Sequence, residues 1–217
     1  MVKLFYYLDV MSSWCFYAEP ALERLRKKYG ARLTYDWRIA LITENMPGGN
    51  TREQVEWFYK RSGSISGTHL NPEWNQGPHT TLDANLAAEA ARELGFTDDR
   101  VRLALARAAL VEGVPIYHKA VAADVAAAVT GIEAGRILTL MNGPTLKERI
   151  KQAGEEFASF HIDQRPGYVL RSSIGDTAIF SGIWTFEPLD ATIGAMLRDV
   201  DEYTKLAANN PPAPARR

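Results

Sequence analysis

Strand-like segments at both ends of the chain, with helix-like segments between them, constrain the fold more than any other feature of the sequence. Near the start, "KLFYYLDV" and "RLTYDWRIAL" are rich in aromatic and β-branched residues and predict two strands. Between them, "EPALERLRKKYG" has apolar residues at helical spacing and ends at a glycine, which predicts a helix. A strand–helix–strand unit of this length predicts two parallel strands joined by a right-handed crossover.

The other end of the chain also contains strands. "GYVLRS" and "TAIFSG" flank the turn-forming "SIGD" and predict a β-hairpin, and "EPLDATIGAMLRDVDEYTKLA" predicts a closing amphipathic helix. In the interval, periodic and often Ala-rich segments predict helices over 51–63, 82–94, 98–112, 117–129, 132–141 and 145–159. The order β-α-β, helices, β-β-α predicts an α/β fold that carries an all-helical insertion.

This order also predicts the division into domains. Residues 1–50 and 160–205 are assigned to the α/β domain and residues 51–159 to the inserted helical domain. Residues 206–217 end in "NNPPAPARR", a Pro-rich composition that predicts a disordered tail.

Charge and cysteine content exclude several classes of function. The formal net charge is −1 and the basic residues are scattered, which argues against nucleic-acid or membrane-surface partners. No apolar stretch approaches the roughly 20 residues that span a bilayer, and the N-terminal apolar run is too short for a signal peptide. The single cysteine excludes an intramolecular disulfide and indicates a reducing compartment, so we expect a cytoplasmic protein. The four histidines lack metal-ligand spacing, so no metal site is predicted.

The segment "DVMSSWCF", residues 9–16, is the strongest candidate for a functional site. It follows the first strand and precedes the first helix, where backbone N–H groups lack intrahelical partners. The helix dipole adds partial positive charge at this place, so a thiolate is stabilised there. A dithiol site would have cysteines at both ends of a four-residue motif, but this chain reads Ser12-Ser13-Trp14-Cys15.

The order of these motifs resembles the FrnE branch of the DsbA family, whose members carry D-x-x-C-P-W-C at this turn. "DWRIALITENMP", "TTLDANLAAEAARELG", "QRPGYVL" and "IFSG" resemble later segments of that family, and the similarity covers residues 3–205. The resemblance implies a thioredoxin-like fold in which Pro166 is a cis-proline facing the active-site turn. It also implies that Ser12 replaces the nucleophilic cysteine and that Cys15 matches the more buried one. The chain therefore cannot complete a dithiol–disulfide cycle alone.

A serine at the first position resembles kappa-class glutathione transferases and 2-hydroxychromene-2-carboxylate isomerase, which read D-V-x-S-P-Y-S here. In those relatives the serine hydroxyl donates a hydrogen bond to the thiolate of bound glutathione. The resemblance implies glutathione or another low-molecular-weight thiol as cofactor, a small electrophilic substrate and a homodimer. The residues implied to bind the thiol are Ser12, Ser13, Trp14, Arg165, Pro166, Ser181 and Gly182. Those relatives carry a Ser-Asp pair after the last strand, and this chain lacks the Asp of that pair.

These observations favour a thiol-dependent transferase or isomerase in which Ser12 stabilises the thiolate and Arg165 contacts the ligand through its backbone or holds a carboxylate. Two alternatives stay open: a monothiol oxidoreductase that uses Cys15, and a redox-inactive module that binds extended peptides. Ser12 would also serve as a simple helix cap, and Cys15 as a small buried apolar side chain. Other side chains that would line or cover a pocket, or only pack, are Trp57, Phe58, His69, Trp74, His79 and Tyr117.

Overall fold

The computed structural model describes residues 1–42 and 49–210. Its four strands are β1 (Val2–Leu8), β2 (Leu33–Ile39), β3 (Gly167–Ser172) and β4 (Thr177–Ser181). They form one sheet in the order β2-β1-β3-β4, with β1 parallel to β2 and β3 antiparallel to both β1 and β4. The predicted parallel pair and the predicted hairpin are both confirmed, so the two ends of the chain build one sheet.

Helix α1 (Ser13–Tyr29) makes the crossover from β1 to β2. It begins well before the predicted segment 19–30, because Ser12 caps it directly after the strand. Pro20 lies inside α1 and is exposed, so the helix continues through it without one intrahelical hydrogen bond.

In the described part of the interval between β2 and β3 there are six α-helices, and one α-helix ends the described chain. They are α2 (Arg52–Ser66), α3 (Leu82–Glu93), α4 (Arg100–Leu110), α5 (Lys119–Thr130), α6 (Ala134–Asn142), α7 (Pro144–Ser159) and α8 (Phe186–Asn209). Residues 206–209 of the predicted disordered tail are helical, which corrects that part of the prediction. Residues 211–217 lie outside the described residues, as do residues 43–48 of the segment "DWRIALITENMP". No helix in the described part is long and apolar enough to cross a membrane.

The two faces of β1 bury different sets of side chains, because successive residues of a strand point to opposite sides. Leu4 and Tyr6 belong to a large core that includes side chains of α1, α3, α4 and α8. Phe5 and Tyr7 pack on the opposite face with Phe157 of α7. The helices between β2 and β3 thus share a continuous core with the sheet, and the division into two domains stays a prediction.

A buried charge cluster joins α1 to α4. The Arg102 guanidinium, 3% exposed, donates to both carboxylate oxygens of Glu19 at 2.5 and 2.9 Å. Its Nε also donates to Asp99 at 2.9 Å. The hydroxyl of Tyr6 donates to Glu19 and to the carbonyl oxygen of Cys15, both at 3.2 Å. The first turn of α1 is therefore fixed to the sheet and, through Glu19, to the helical block.

Candidate functional site

Ser12 lies between the turn after β1 and the first residue of α1. Its backbone is extended, and its side-chain oxygen accepts the N–H of Cys15 at 3.3 Å, so it caps the helix. The residue is 5% exposed. The same side chain interacts with the Cys15 thiol and lowers its pKa, as expected of a hydroxyl that donates to sulfur. Ser12 therefore caps the helix, and a ligand in the cavity would share its hydroxyl donor with the Cys15 sulfur.

The first turn of α1 adds positive potential at this hydroxyl. Within the described residues, the N–H groups of Ser13 and Trp14 have no acceptor. The first turn carries no acidic residue, and the last turn carries Arg26, Lys27 and Lys28, which complement the helix dipole. An anion placed beside Ser12 would thus meet hydrogen-bond donors and no opposing carboxylate from the helix.

Asp9 fixes the turn on which Ser12 lies. Its carboxylate is fully buried and accepts the N–H groups of Met11 and Ile42, each at 2.9 Å. It also accepts the side-chain N–H of Asn85 at 3.0 Å and the hydroxyl of Thr81. The carbonyl oxygen of Asp9 accepts the N–H of Ser12 at 3.0 Å. One side chain therefore joins the active-site turn, the end of β2 and the start of α3.

Cys15 is buried beneath the turn. It is 2% exposed, and burial raises the pKa of its thiol to about 11, although the Ser12 side chain opposes the shift. A thiol with this pKa is protonated at neutral pH, and a buried one does not reach a substrate. These properties match the prediction of a small buried side chain and not that of a reactive thiol.

The loop before β3 contains the residue that was predicted as a cis-proline. The Arg165–Pro166 peptide bond is cis. The carbonyl oxygen of Pro166 accepts the N–H of Gly182 at 2.9 Å, and the hydroxyl of Ser181 accepts the N–H of Gln164 at 3.3 Å. Ser181 and Gly182 thus support the proline loop from the end of β4.

The Arg165 side chain is held by main-chain carbonyl groups. Its Nε donates to Ala40 at 2.8 Å, and its two terminal nitrogens donate to Leu41 at 2.7 Å and to Asp163 at 3.0 Å. These bonds fasten the proline loop to the end of β2. The role of Arg165 in holding a substrate carboxylate stays a prediction, and such a carboxylate would share the guanidinium with these carbonyls.

A cavity of about 480 Å³ opens above the active-site turn. Its lining comes from the turn, the end of β2, α2, the loop before α3 and the proline loop. Of the predicted site residues, the structure brings Ser12, Ser13, Trp14 and Arg165 to this cavity. Pro166, Ser181 and Gly182 support the wall from behind, and Cys15 lies below the floor.

Aromatic and histidine side chains make up much of the remaining wall. Phe58, Tyr59, Trp74 and His79 line the cavity, whereas Trp57 and His69 are exposed. Tyr117 packs behind His79 with their ring centroids 5.2 Å apart. The rings of Tyr17 and Trp184 lie 5.6 and 5.9 Å from that of Trp14 and hold it in place.

The sequence interpretation missed Tyr59, Thr81, Asp163 and Gln164, and it gave Asp9 no role. The signal for Asp9 was present, since an aspartate at the end of a buried strand has to be satisfied by neighbours. Among residues 1–42 and 49–210, no cluster of His, Cys, Asp or Glu could hold a metal ion.

This sheet, with a capped helix after β1 and a cis-proline before β3, defines the class of thioredoxin-like proteins. The chain matches the family model of the DSBA-like thioredoxin domain over residues 3–190. It is therefore a member of the DSBA-like thioredoxin domain family. A comparison with curated proteins found no match.

Solved structures support the same fold. A "putative protein disulfide isomerase" from Nitrosomonas europaea has a TM-score of 0.75 at 21% identity, covering 91% of this chain and 98% of that one. The cytosolic disulfide reductase DsbM from Pseudomonas aeruginosa has a TM-score of 0.73 at 20% identity, covering 90% and 98%. A structure of DsbM with GSH has a TM-score of 0.71 at 18% identity, covering 90% and 99%. At these identities the likeness concerns the fold.

Proposed function

We propose that this protein binds glutathione or another low-molecular-weight thiol as a thiolate at Ser12 and uses it to transfer to, or isomerise, a small electrophile. The observation that carries the proposal is the hydroxyl of Ser12. It is buried at a helix N-terminus and borders a cavity of about 480 Å³, and its neighbour Cys15 is a protonated thiol, a weaker acceptor than a thiolate. A thiolate is the acceptor that suits this position.

The strength expected of these hydrogen bonds corresponds to a substantial lowering of the pKa of the bound thiol. A hydrogen bond to a charged group contributes about 1.5–3 kcal/mol, which corresponds to roughly one to two pKa units. A thiol with an ordinary pKa near 8.5 is about 3% ionised at pH 7, and a shift of this size raises that fraction to between roughly a quarter and three quarters. Ser12 and the N–H groups of Ser13 and Trp14 would act on the sulfur as an oxyanion hole acts on oxygen.

The chemistry then follows from the thiolate. Its sulfur lone pair forms an S–C bond to the electrophile. In a transfer, a leaving group departs with the electrons of its own bond. In an isomerisation, the sulfur adds to a C=C bond, the former double bond rotates, and the sulfur is expelled with the S–C electron pair. Both outcomes need a bound thiolate and a neighbouring pocket, and neither needs a second cysteine.

Two further observations bear on the proposal. A structure of DsbM contains GSH, which supports a small thiol as ligand of this fold. Burial and a high pKa of Cys15 weigh against the monothiol alternative. In the proposed pose, the backbone of Arg165 beside Pro166 pairs with the extended thiol, while Ser181 and Gly182 hold the proline loop. A reducing compartment such as the cytoplasm would supply the reduced thiol, and size-exclusion chromatography with light scattering would test the predicted homodimer.

Calorimetry with glutathione between pH 6 and pH 9 would test the thiolate site. We expect wild-type affinity to be lower at pH 6 than at pH 7.5, because at acidic pH either solvent holds the proton on the thiol or the group that takes it is already protonated. Ser12→Ala should bind at least about tenfold more weakly. Ser12→Thr keeps the hydroxyl and should restore most of the affinity. Thr51→Ala removes the cap of α2 without changing a side chain that lines the cavity, so it controls for lost helix capping.

Equal affinity of wild type and Ser12→Ala would contradict the proposed thiolate site. Absence of glutathione binding at every pH would favour another thiol or the peptide-binding alternative. Turnover of chlorodinitrobenzene, measured as the release of chloride, would then distinguish a transferase from a protein that only binds the thiol.

A further inference from the structure

His79 is a buried titratable side chain in the wall of the cavity, and the proposed thiolate chemistry does not yet use it. The residue is 6% exposed, and it precedes α3 in the loop that faces the active-site turn. Its ring packs against Trp74 and Tyr117, with centroid separations of 5.0 and 5.2 Å. The position of the imidazole is therefore fixed before any ligand arrives.

The hydrogen bond of the ring determines its tautomer. Nδ1 lies 2.9 Å from the carbonyl oxygen of Gly77, and a carbonyl oxygen only accepts. The proton of a neutral His79 is thus on Nδ1, and Nε2 carries a lone pair. Among residues 1–42 and 49–210, no donor is bonded to Nε2.

Gly49 lies against that edge of the ring. A Cβ at this position would lie 2.6 Å from Nε2 and 2.8 Å from Cε1 of His79, closer than a side chain can approach. The φ angle of Gly49 is +69°, which also favours glycine. Any larger residue at position 49 would cover the lone pair.

A short path, two residues along the chain and then two hydrogen bonds, connects His79 to the active-site turn. Two residues after His79, the hydroxyl of Thr81 donates to the Asp9 carboxylate, and the carbonyl oxygen of Asp9 accepts the N–H of Ser12. His79 and Ser12 line the same cavity. The basic nitrogen and the hydroxyl donor thus belong to one rigid wall.

We propose that Nε2 of His79 is the general base that takes the proton of the thiol when it binds as a thiolate, and the general acid that later returns it. The inference rests on the proposed function. On binding, the S–H bond breaks, the sulfur keeps the electron pair and the proton moves to Nε2. In addition to an electron-poor C=C bond, the sulfur bonds to one carbon and the π electrons form a carbanion at the other, which takes the proton from Nε2. The sum is a thiol added across a double bond, with His79 returned to its neutral form.

Charged and titratable neighbours surround the imidazole on both sides. Asp163 and Arg165 line the cavity with it, and Asp9 lies behind Thr81. On its other side the ring borders a shallow cavity with Asp83, Tyr117 and His118. Lys119 pairs with Asp83 at 3.5 Å. Acidic and basic side chains thus occur together on each side of the imidazole.

Counting protons released on glutathione binding tests the inference without any turnover. Calorimetry at about pH 7.5, in buffers of different ionisation enthalpy, gives the number released, and ultraviolet absorbance reports whether the ligand becomes a thiolate. Because His79 takes the proton, we expect wild type to bind a thiolate and release close to no protons. His79→Gln should bind a thiolate and release close to one proton per ligand. The exposed His69→Gln is the matched control and should behave as wild type.

Gly49→Ala is a second variant, which keeps the imidazole and covers Nε2, and it should also release close to one proton. If neither variant folds, the wild-type count decides alone. Thiolate binding with close to one proton released from wild type would overturn the role of His79 and leave the thiolate site standing. Binding as a neutral thiol, or no binding, would overturn both. Cys15 adds no background thiolate, since burial raises its pKa to about 11.

Discussion

The buried carboxylate of Asp9 accepts the hydroxyl proton of Thr81, which joins the turn that carries Ser12 to the start of α3. The same carboxylate accepts two backbone N–H groups, from Met11 on one oxygen and from Ile42 on the other. Each oxygen thus faces at least one donor that cannot rotate away. Asp9 is therefore the residue through which the turn, the end of β2 and the helical block keep their relative positions.

Replacing this carboxylate by an amide should destabilise the protein. In Asp9→Asn, whichever way the amide is turned, its NH₂ group faces a backbone N–H, so one buried donor loses its acceptor. We expect a loss of about 2–3 kcal/mol in the free energy of unfolding, measured by urea denaturation. Asp124→Asn, at an exposed position in α5, should change it by less than about 0.5 kcal/mol. Equal stabilities of the two variants would contradict this role for Asp9.

The thiol of Cys15 should react only after unfolding. A chromogenic disulfide reagent should modify close to one thiol per chain in denaturant and almost none in buffer at neutral pH, because the thiol is buried and protonated. Rapid stoichiometric modification of the folded protein would instead support the monothiol oxidoreductase.

The same thiol should make stability depend on alkaline pH. Folding raises the pKa of Cys15 to about 11, so above the unfolded value near 8.5 the unfolded chain loses its proton first. The contribution of the protonated Cys15 thiol to the free energy of unfolding is fully present below about pH 8.5. It is lost as pH rises towards 11, and the total loss is about 3 kcal/mol. Cys15→Ala should lack this pH dependence. The difference between wild type and the variant, each measured by urea denaturation over a range of pH, therefore separates the effect of Cys15 from the effect of titrating tyrosines. Parallel pH profiles would contradict the shift.

Ser12→Cys should create a disulfide-forming pair with Cys15. Residues three apart at a helix start have Cα atoms about 5 Å apart, within the range of about 4.4–6.8 Å that a disulfide spans. We expect oxidised glutathione to produce the intramolecular disulfide, detected by intact mass as the loss of two hydrogens. Ser13→Cys is the matched control, because residues two apart on a helix do not face each other. Disulfide formation in Ser13→Cys but not in Ser12→Cys would contradict the geometry of the turn.

Two arginines of α4 should differ strongly in their effect on stability. Arg102→Ala removes a buried cation from the partly buried Glu19 and from Asp99, which keeps its ion pair with Arg26, so we expect a loss of about 3 kcal/mol. Arg100 is exposed and pairs with Asp98, so Arg100→Ala should cost less than about 1 kcal/mol. Urea denaturation of both variants provides the comparison, and similar losses would show that burial does not determine the effect.

Two helical glycines give a matched pair for packing. A Cβ at Gly63 in α2 would lie 2.8 Å from the carbonyl oxygen of Thr68, so Gly63→Ala should destabilise by about 1–3 kcal/mol. Gly135 in α6 has open space around it, so Gly135→Ala should stabilise by about 0.5–1 kcal/mol. Thermal melts should shift in opposite directions, and shifts of the same sign would contradict the close approach at Gly63.

Local patterns in the sequence were sufficient for the order of elements and for part of the site. Alternation and turn residues predict the strands and the hairpin, and Thr51 caps α2 as its position suggests. The start of α1 was set too late, because Pro20 and the polar "SSW" hide a helix whose cap is Ser12. Ser12, Trp14 and Arg165 reach the cavity as the motif and the resemblance implied.

The rest depends on contacts between distant parts of the chain. Asp9 meets Thr81 and Asn85, and Glu19 meets Arg102, only after the helical block has packed against the first helix. The surroundings of His79 likewise depend on residues from other elements, which precede and follow it in the sequence. Periodicity identifies which face of a helix is buried, but it does not identify the polar side chains that contact this face.

The position of β1 inside the sheet has a consequence for synthesis on the ribosome. β1 and β2 leave the exit tunnel early, but β3, the other neighbour of β1, follows only after residues 40–166 have been made. At synthesis rates of about 5–20 residues per second this interval lasts on the order of ten seconds. During that time the Phe5 and Tyr7 face of the nascent strand lacks Val169 of β3 and, until α7 emerges, also lacks Phe157. Nascent chains stalled before β3 should therefore be the forms of this protein that chaperones retain and that aggregate when released.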